Sequence, residues 1–128
     1  MDKILCLAAS GIVCTFARYL LSGFIHQRWG MDFPYGTLVV NLSGCFLIGF
    51  FDVLFQERFL LGPQVRLLLM TGFCGAFTTF STFIFETSNL FKDGEPIRAF
   101  LNIFLSIVAG FIVFRLGAIL GKFIFLIK

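Results

Sequence analysis

Residues 71–83 hold many small and polar side chains for so apolar a stretch. The sequence is TGFCGAFTTFSTF, in which two glycines and four hydroxyl residues follow the first threonine. Glycine lowers helix stability, and Ser and Thr compete for backbone hydrogen bonds. A helix broken near residues 75–79 would free N–H groups, which favour anions, or carbonyl groups, which ligate cations. The alternative is a continuous helix in which Ser and Thr bond to their own backbone and glycine allows close packing.

Three phenylalanines in the same segment, Phe77, Phe80 and Phe83, recur every three residues and share roughly one helix face. A phenyl ring has a negative face and a positive edge. Ring edges can therefore attract a small anion in a passage too narrow for accompanying water. The alternative is that this stripe only packs in the core, which is the usual role of Phe at helical spacing.

The composition requires an apolar solvent around the chain. Of its 128 residues 59% are hydrophobic and 13% charged, whereas soluble domains carry about 25% charged residues. The net charge is only +3 and the basic residues are scattered singly, which excludes a nucleic-acid-binding surface. The four cysteines, Cys6, Cys14, Cys45 and Cys74, form no close pairs of the metal-binding or redox kind, and we interpret them as packing residues.

Four apolar runs are long enough to cross a bilayer, which takes roughly 20 residues in a helix. They predict an all-α integral membrane protein, with residues 1–128 as a single transmembrane domain and spans at 4–25, 36–55, 65–91 and 97–127. The first run is longer than the apolar region of a signal peptide, and no small-residue cleavage site follows it, so we expect it to be retained. His26 is assigned to a loop.

Lysine and arginine residues near the span ends give only a feeble orientation signal. Five fall on the side of the termini and three on the other side: Lys3, Arg58, Arg66, Lys122 and Lys128 against Arg28, Lys92 and Arg98. This leaves open insertion in both orientations and antiparallel pairing of two copies. Four short helices enclose little volume, so a homodimer is the smallest expected assembly.

The segment at 71–83, together with YGTLVVNLSG at 35–44 and Arg18 in the first span, resembles the Fluc (CrcB) family of fluoride channels. The resemblance covers nearly the whole chain in length, number of spans and motif order. It implies a dual-topology antiparallel homodimer in the cell inner (plasma) membrane. Each dimer would contain two fluoride pores and a central structural sodium ion, and would export fluoride passively, reducing its toxicity.

The resemblance also implies roles for individual residues. Main-chain carbonyls of Gly75 and Thr78 at the helix break would hold the sodium ion. The pore phenylalanines match Phe80 and Phe83, and Arg18 matches a vestibule charge. The pore asparagine matches Asn41, and a polar track would include Ser81, Thr82, Asn102 and Ser106. Two positions depart from the family pattern: Ala76, where a second glycine is frequent, and Asn102, where an aromatic hydroxyl also occurs.

These residue types suit a small, strongly hydrated anion, whose waters must be replaced by donors at close range. Asn41 carries two N–H donors, and the hydroxyls of Thr79, Ser81, Thr82 and Ser106 carry one each. Asn102 and Ser106 lie four residues apart, on one helical face. Charges within spans are costly and usually functional. We expect Glu86 to lie near a pore end or to be hydrogen-bonded.

Other functions are less well supported by the sequence. It contains no serine–histidine–acid arrangement, phosphate loop or metal-binding pair, so we do not expect an enzyme. A small multidrug exporter of similar length would need a carboxylate in its first span, but residues 4–25 contain Arg18 and no Asp or Glu. An assembly factor without transport activity would need no line of polar groups across the membrane.

Overall fold

The computed structural model describes residues 2–57 and 62–126, in which all regular structure is helical. Helix α1 covers Asp2–Trp29 and α2 covers Tyr35–Glu57. Next come α3 (Pro63–Arg66), a π-helical segment (Leu67–Cys74), α4 (Gly75–Phe77) and α5 (Phe80–Lys92). The last stretch comprises α6 (Pro96–Phe104), a second π-helical segment (Leu105–Ala109) and α7 (Gly110–Leu126).

Four helical stretches of the described chain are long and apolar enough to cross a membrane. These stretches, the first to fourth spans below, are Lys3–Trp29, Tyr35–Gln56, Pro63–Lys92 and Pro96–Ile124. They confirm the predicted all-helical architecture with four apolar spans. Ile127, the predicted end of the fourth span, lies outside the described residues, as do Arg58 and Lys128 of the charge comparison.

Glycine and proline mark the ends of the spans. Gly30, with a φ of 83°, follows α1, and Gly94, with a φ of 74°, follows α5. Only glycine adopts this left-handed conformation without steric cost, and it ends a helix. Pro63 and Pro96 begin α3 and α6, where the missing proline N–H has no helical partner to lose. Glycine therefore ends the first and third spans, and proline begins the third and fourth.

The protein interior is small, and much of the outer surface is apolar. Cys14, Val40 and Phe77 are at most 6% exposed and form a cluster where the first three spans meet. Large apolar side chains elsewhere face outward, for example Ile4, 72% exposed, and Ile97, 75% exposed. Such a surface requires lipid or a second protein against it.

The second span packs most extensively on α7, and two glycines permit the close approach. A Cβ atom on Gly117 would overlap the carbonyl oxygen of Phe46, and a Cβ on Gly49 would overlap that of Phe114. Small residues let membrane helices approach to backbone contact. By contrast, a Cβ on Gly110 would lie 3.6 Å from Cys45 Sγ, an ordinary contact distance. The tightest α2–α7 contact is thus at the Gly49 and Gly117 positions.

Replacing Gly117 by alanine is expected to destabilise the protein by about 1–3 kcal/mol, because the added methyl group forces the second span away from α7. The midpoint of thermal unfolding in detergent should fall. Gly110→Ala on the same span is the matched control and should leave the midpoint nearly unchanged. Equal midpoints for both variants would contradict backbone contact at Gly117.

Candidate functional site

The third span is interrupted by two threonines with extended backbone. Thr78 has φ −85° and ψ 156°, and Thr79 has φ −146° and ψ 113°. Ala76, at the position where the resembling family frequently has a second glycine, remains helical. The extended backbone begins two residues after it, at Thr78. Thr78 and Thr79 lie within residues 75–79, for which the sequence allowed either a break or a continuous helix.

Asn41 of the second span pairs with the backbone of Thr79 through two hydrogen bonds. The Thr79 N–H donates to Asn41 Oδ1 at 2.8 Å, and Asn41 Nδ2 donates to the Thr79 carbonyl oxygen at 3.1 Å. A side-chain amide thus supplies the donor and acceptor that a helix would have supplied. Unpaired backbone groups are costly in hydrocarbon, so this pairing stabilises the interruption.

The hydroxyl group of Thr79 caps the helix that follows. Its Oγ1 accepts from the Thr82 N–H at 3.3 Å and lies 2.9 Å from the Thr82 hydroxyl oxygen. It also lies 3.5 Å from Ser81 Oγ. An N-cap threonine satisfies one of the free N–H groups of a helix start. Thr79 therefore both ends one helix through its backbone and begins the next through its side chain.

The interruption leaves two particular carbonyl groups without their usual helical donors. In a continuous helix the N–H of Thr79 would bond to the Gly75 carbonyl, and the N–H of Thr82 to the Thr78 carbonyl. Both N–H groups are engaged elsewhere, with Asn41 and with the Thr79 hydroxyl. The carbonyl oxygens of Gly75 and Thr78 are consequently released, and these are the two carbonyls for which the family resemblance implies a sodium ion.

A cavity of about 370 Å³, here called the break cavity, lies beside the interruption. It brings together most of the predicted site residues. Its lining includes Asn41, Gly75, Thr78, Thr79, Phe80, Phe83 and Ser106. Ser106 Oγ is buried and has no hydrogen-bond partner among the described residues. The cavity thus contains amide, hydroxyl, carbonyl and aromatic groups at one level of the protein.

The three phenylalanines of the stripe divide into two environments. Phe77 stacks on Phe73 with ring centroids 5.8 Å apart and packs in the core. Phe80 and Phe83 line the break cavity, their ring centroids 5.7 Å apart and their planes tilted by 42°. Phe83 is 7% exposed, whereas Phe80 is 74% exposed. The packing interpretation therefore holds for Phe77, and the other two rings are available to a ligand.

A second cavity of about 570 Å³, here called the Arg18 cavity, lies between the first three spans. Its polar lining consists of Thr15, Arg18, Tyr19, Ser22, His26, Thr37, Thr79, Thr82 and Glu86. Glu86 Oε1 accepts a hydrogen bond from Thr37 Oγ1 at 2.8 Å, which confirms the expectation that Glu86 is hydrogen-bonded. Thr79 lines both cavities, so the interruption stands between them.

Two members of the predicted polar track lie away from both cavity linings. Ser81 is exposed at the start of α5. Asn102 is 2% exposed and donates from Nδ2 to Thr87 Oγ1 at 2.9 Å, so it joins α6 to α5. Ser106, four residues after Asn102, lines the break cavity, whereas Asn102 is engaged with Thr87, so only one of the two lies at the cavity.

Sequence reasoning missed several residues of the Arg18 cavity. Thr37 lies one helical turn before Asn41 on the second span, and that spacing could have indicated it. Ser22 and His26 lie one turn and two turns after Arg18. The assignment of His26 to a loop is wrong, because α1 continues to Trp29. Polar residues at the end of an apolar run were mistaken for the end of the helix.

In the part of the chain that the structure describes, no group of three or more His, Cys, Asp or Glu side chains is arranged to hold a metal ion. Cys14 and Cys74 are buried as free thiols, and Cys14 packs in the core cluster. A metal ion near the interruption would therefore depend on uncharged oxygen ligands, namely main-chain carbonyl, hydroxyl and amide oxygens.

The chain is similar in sequence to one protein family over most of its length. Residues 5–118 match the family model described as CrcB-like protein, Camphor Resistance (CrcB). The chain is 44% identical to the Fluoride-specific ion channel FluC of Maridesulfovibrio salexigens, over 97% of this chain and 98% of that protein. It is also 44% identical to FluC of Solidesulfovibrio magneticus, over 97% and 99%. For FluC of Methylocella silvestris the identity is 46%, over 82% of each chain.

Replacing Asn41 by leucine is expected to lower the thermal midpoint of unfolding markedly. The change leaves the Thr79 N–H and carbonyl unpaired, at about 1–3 kcal/mol for each group. Ser43→Ala is the control on the same helix, since Ser43 Oγ only donates to its own helix at Val39. A leucine variant as stable as the alanine variant would show that the interruption does not depend on Asn41.

Proposed function

The chain belongs to the CrcB-like family, and we propose that it is a fluoride-specific ion channel through which fluoride crosses the membrane passively. The observation that supports this most directly is the lining of the break cavity. An asparagine amide, two phenylalanine rings and a hydroxyl group that no other described residue engages meet beside a helix interruption. The relatives named above are ion channels, so the chain is not an enzyme.

The chemistry of the break cavity fits an anion that has lost part of its water shell. One Asn41 N–H is occupied by the Thr79 carbonyl, and the other has no partner among the described residues. The Ser106 hydroxyl group is similarly unengaged. The edges of Phe80 and Phe83 carry partial positive charge. Together these groups offer hydrogen-bond donors and ring edges in place of water, and no fixed positive charge that would hold the ion too tightly to leave.

We propose that the Arg18 cavity is the vestibule from which fluoride approaches. Arg18 supplies a positive charge, and the Thr82 and Thr79 hydroxyl groups line the passage toward the interruption. Clefts lined by one sign of charge raise the local concentration of the opposite ion. Fluoride would move from this vestibule past Thr79 to Asn41 and the two phenylalanines. Ser81 lies at the exposed start of α5, outside both cavity linings, and would contact fluoride only there.

A structural sodium ion at the interruption is part of the proposal. The carbonyl oxygens of Gly75 and Thr78 lack their helical donors, and hard cations prefer carbonyl and water ligands. The sodium ion would offset the partial negative charge of these carbonyls and hold the interrupted backbone in place. Two carbonyls from one chain supply only part of a coordination shell, whereas a second copy would double the number.

We further propose a dual-topology antiparallel homodimer with two pores, its interruption at the middle of the inner (plasma) membrane. The exposure of Phe80, at 74%, supports this, because a pore-lining ring needs a facing wall that one chain does not supply. In a bacterial cell such a multi-pass channel would lower intracellular fluoride and its toxicity. The multidrug exporter remains the less favoured function, since residues 4–25 of the first span contain cationic Arg18 and no carboxylate.

Fluoride efflux from liposomes tests the proposed function. Vesicles that contain the purified protein and a mixture of sodium and potassium fluoride, with a potassium ionophore to balance the charge, should release fluoride to an electrode without any proton gradient. Chloride-loaded vesicles should release chloride at least about a hundredfold more slowly. Strong discrimination is expected because the break cavity must replace the water of a small ion. Equal chloride release, or fluoride release only under a proton gradient, would contradict the proposal.

The same assay with single variants locates the pathway. Phe83→Ile should reduce fluoride release to the background of empty vesicles, because the ring edge is lost while an apolar side chain of similar burial remains. Phe91→Ile is the control on the same helix, since Phe91 packs against Phe100 with centroids 5.5 Å apart and does not line the break cavity. Normal flux through the Phe83 variant would place the pathway elsewhere.

A further inference from the structure

The Arg18 cavity contains three buried polar atoms that have no hydrogen-bond partner among the described residues. They are Arg18 Nε, His26 Nδ1 and Glu86 Oε2. Buried polar groups in proteins are normally paired, so an unpaired one indicates a role or a partner not yet accounted for. Three such atoms around one cavity mark it as a site built to interact with something polar.

Among the three residue types in this group, histidine is the one that ordinarily changes charge near neutral pH. An imidazole ordinarily titrates near pH 6.5, and small environmental changes move it across the physiological range. His26 lies two helical turns beyond Arg18 on α1, and both side chains line the same cavity. When His26 is protonated, the wall that α1 contributes carries two positive charges.

The groups that face His26 across the cavity define its electrostatic environment. From α1 these are Arg18 and the Tyr19 hydroxyl, and from α5 the Glu86 carboxylate. The wall from α2 contributes Gly36, Thr37 and Val40, which are uncharged. One Glu86 oxygen accepts from Thr37, and the other is unpaired. An ionised Glu86 lowers the positive potential at neutral pH, and protonation of His26 would restore it.

The position of His26 is also sterically confined. A Cβ atom on Gly36 would lie 2.6 Å from His26 Nε2 and 2.5 Å from Ser22 Oγ. The imidazole therefore packs directly on the backbone at the start of α2, one residue before Thr37. This close packing holds the ring at the cavity wall instead of in the surrounding solvent.

We propose that His26 is an anion-recruiting residue whose protonation raises fluoride entry into the Arg18 cavity. The inference depends on the proposed fluoride channel function and adds a residue and a pH dependence to it. A positive charge added to a cleft with low-dielectric walls increases the local anion concentration and the rate of entry. Flux should therefore be greater at mildly acidic pH than at mildly alkaline pH.

The test is fluoride efflux from liposomes buffered equally on both sides at pH values from 5.5 to 8, with release from protein-free vesicles subtracted at each pH. For the unmodified chain we expect flux to rise about threefold or more as pH falls through the histidine range near 6.5. H26Q keeps a polar side chain without a titrating group. It should show a flat pH profile at the level of the unmodified chain at pH 8.

A matched control returns an imidazole to the same helix outside the cavity. The double variant H26Q/Q27H carries it at the next residue, which is exposed and does not line the Arg18 cavity, so its profile should stay flat. A pH-dependent rise that persists in H26Q, or one that returns in the double variant, would overturn the inference. So would a flat profile in the unmodified chain with normal fluoride flux, whereas absence of fluoride flux at every pH would instead contradict the channel function.

Discussion

The pairing of the Asn41 side chain with the Thr79 backbone is the interaction on which the site depends. Two consecutive residues in the third span leave helical geometry, and in an apolar environment their backbone groups must find partners. A side-chain amide carries one donor group and one acceptor in the arrangement of a peptide group, so one asparagine satisfies both. Without it, the Thr79 N–H and carbonyl groups would be unpaired, and the interruption and the break cavity beside it would be destabilised.

The consequences of this pairing extend to both cavities. Because Thr79 N–H donates to Asn41, the Gly75 carbonyl is released, and because the Thr79 hydroxyl caps α5, the Thr78 carbonyl is released as well. Beside the same interruption, Phe80 and Phe83 line the break cavity, and Thr79 lines both cavities. Gly44 allows this arrangement, since a Cβ atom there would overlap the Thr78 side chain.

The sequence predicted those features of the site that depend on residues close together in the chain. Glycine and hydroxyl residues near 75–79 indicated a weak helix, and the spacing of Phe80 and Phe83 placed both rings on one face. The bond between Asn41 and Thr79 joins residues 38 positions apart, and no local pattern identifies such a contact. His26 was assigned to a loop because the hydropathy falls several residues before α1 ends at Trp29. The hydrogen bond from Asn102 to Thr87 is likewise a contact between two helices, which spacing along one helix does not reveal.

Asn41 has two distinct N–H groups: one is held by the Thr79 carbonyl, and in the proposed channel the other would bind the ion. Solid-state NMR of the ¹⁵N-labelled protein in bilayers resolves the two side-chain amide protons during a fluoride titration. We expect one proton to shift with fluoride and the other, together with the Thr79 amide, to stay constant. Two unaffected protons, or two that shift together with the Thr79 amide, would contradict the claim that one asparagine both holds the interruption open and contacts the ion.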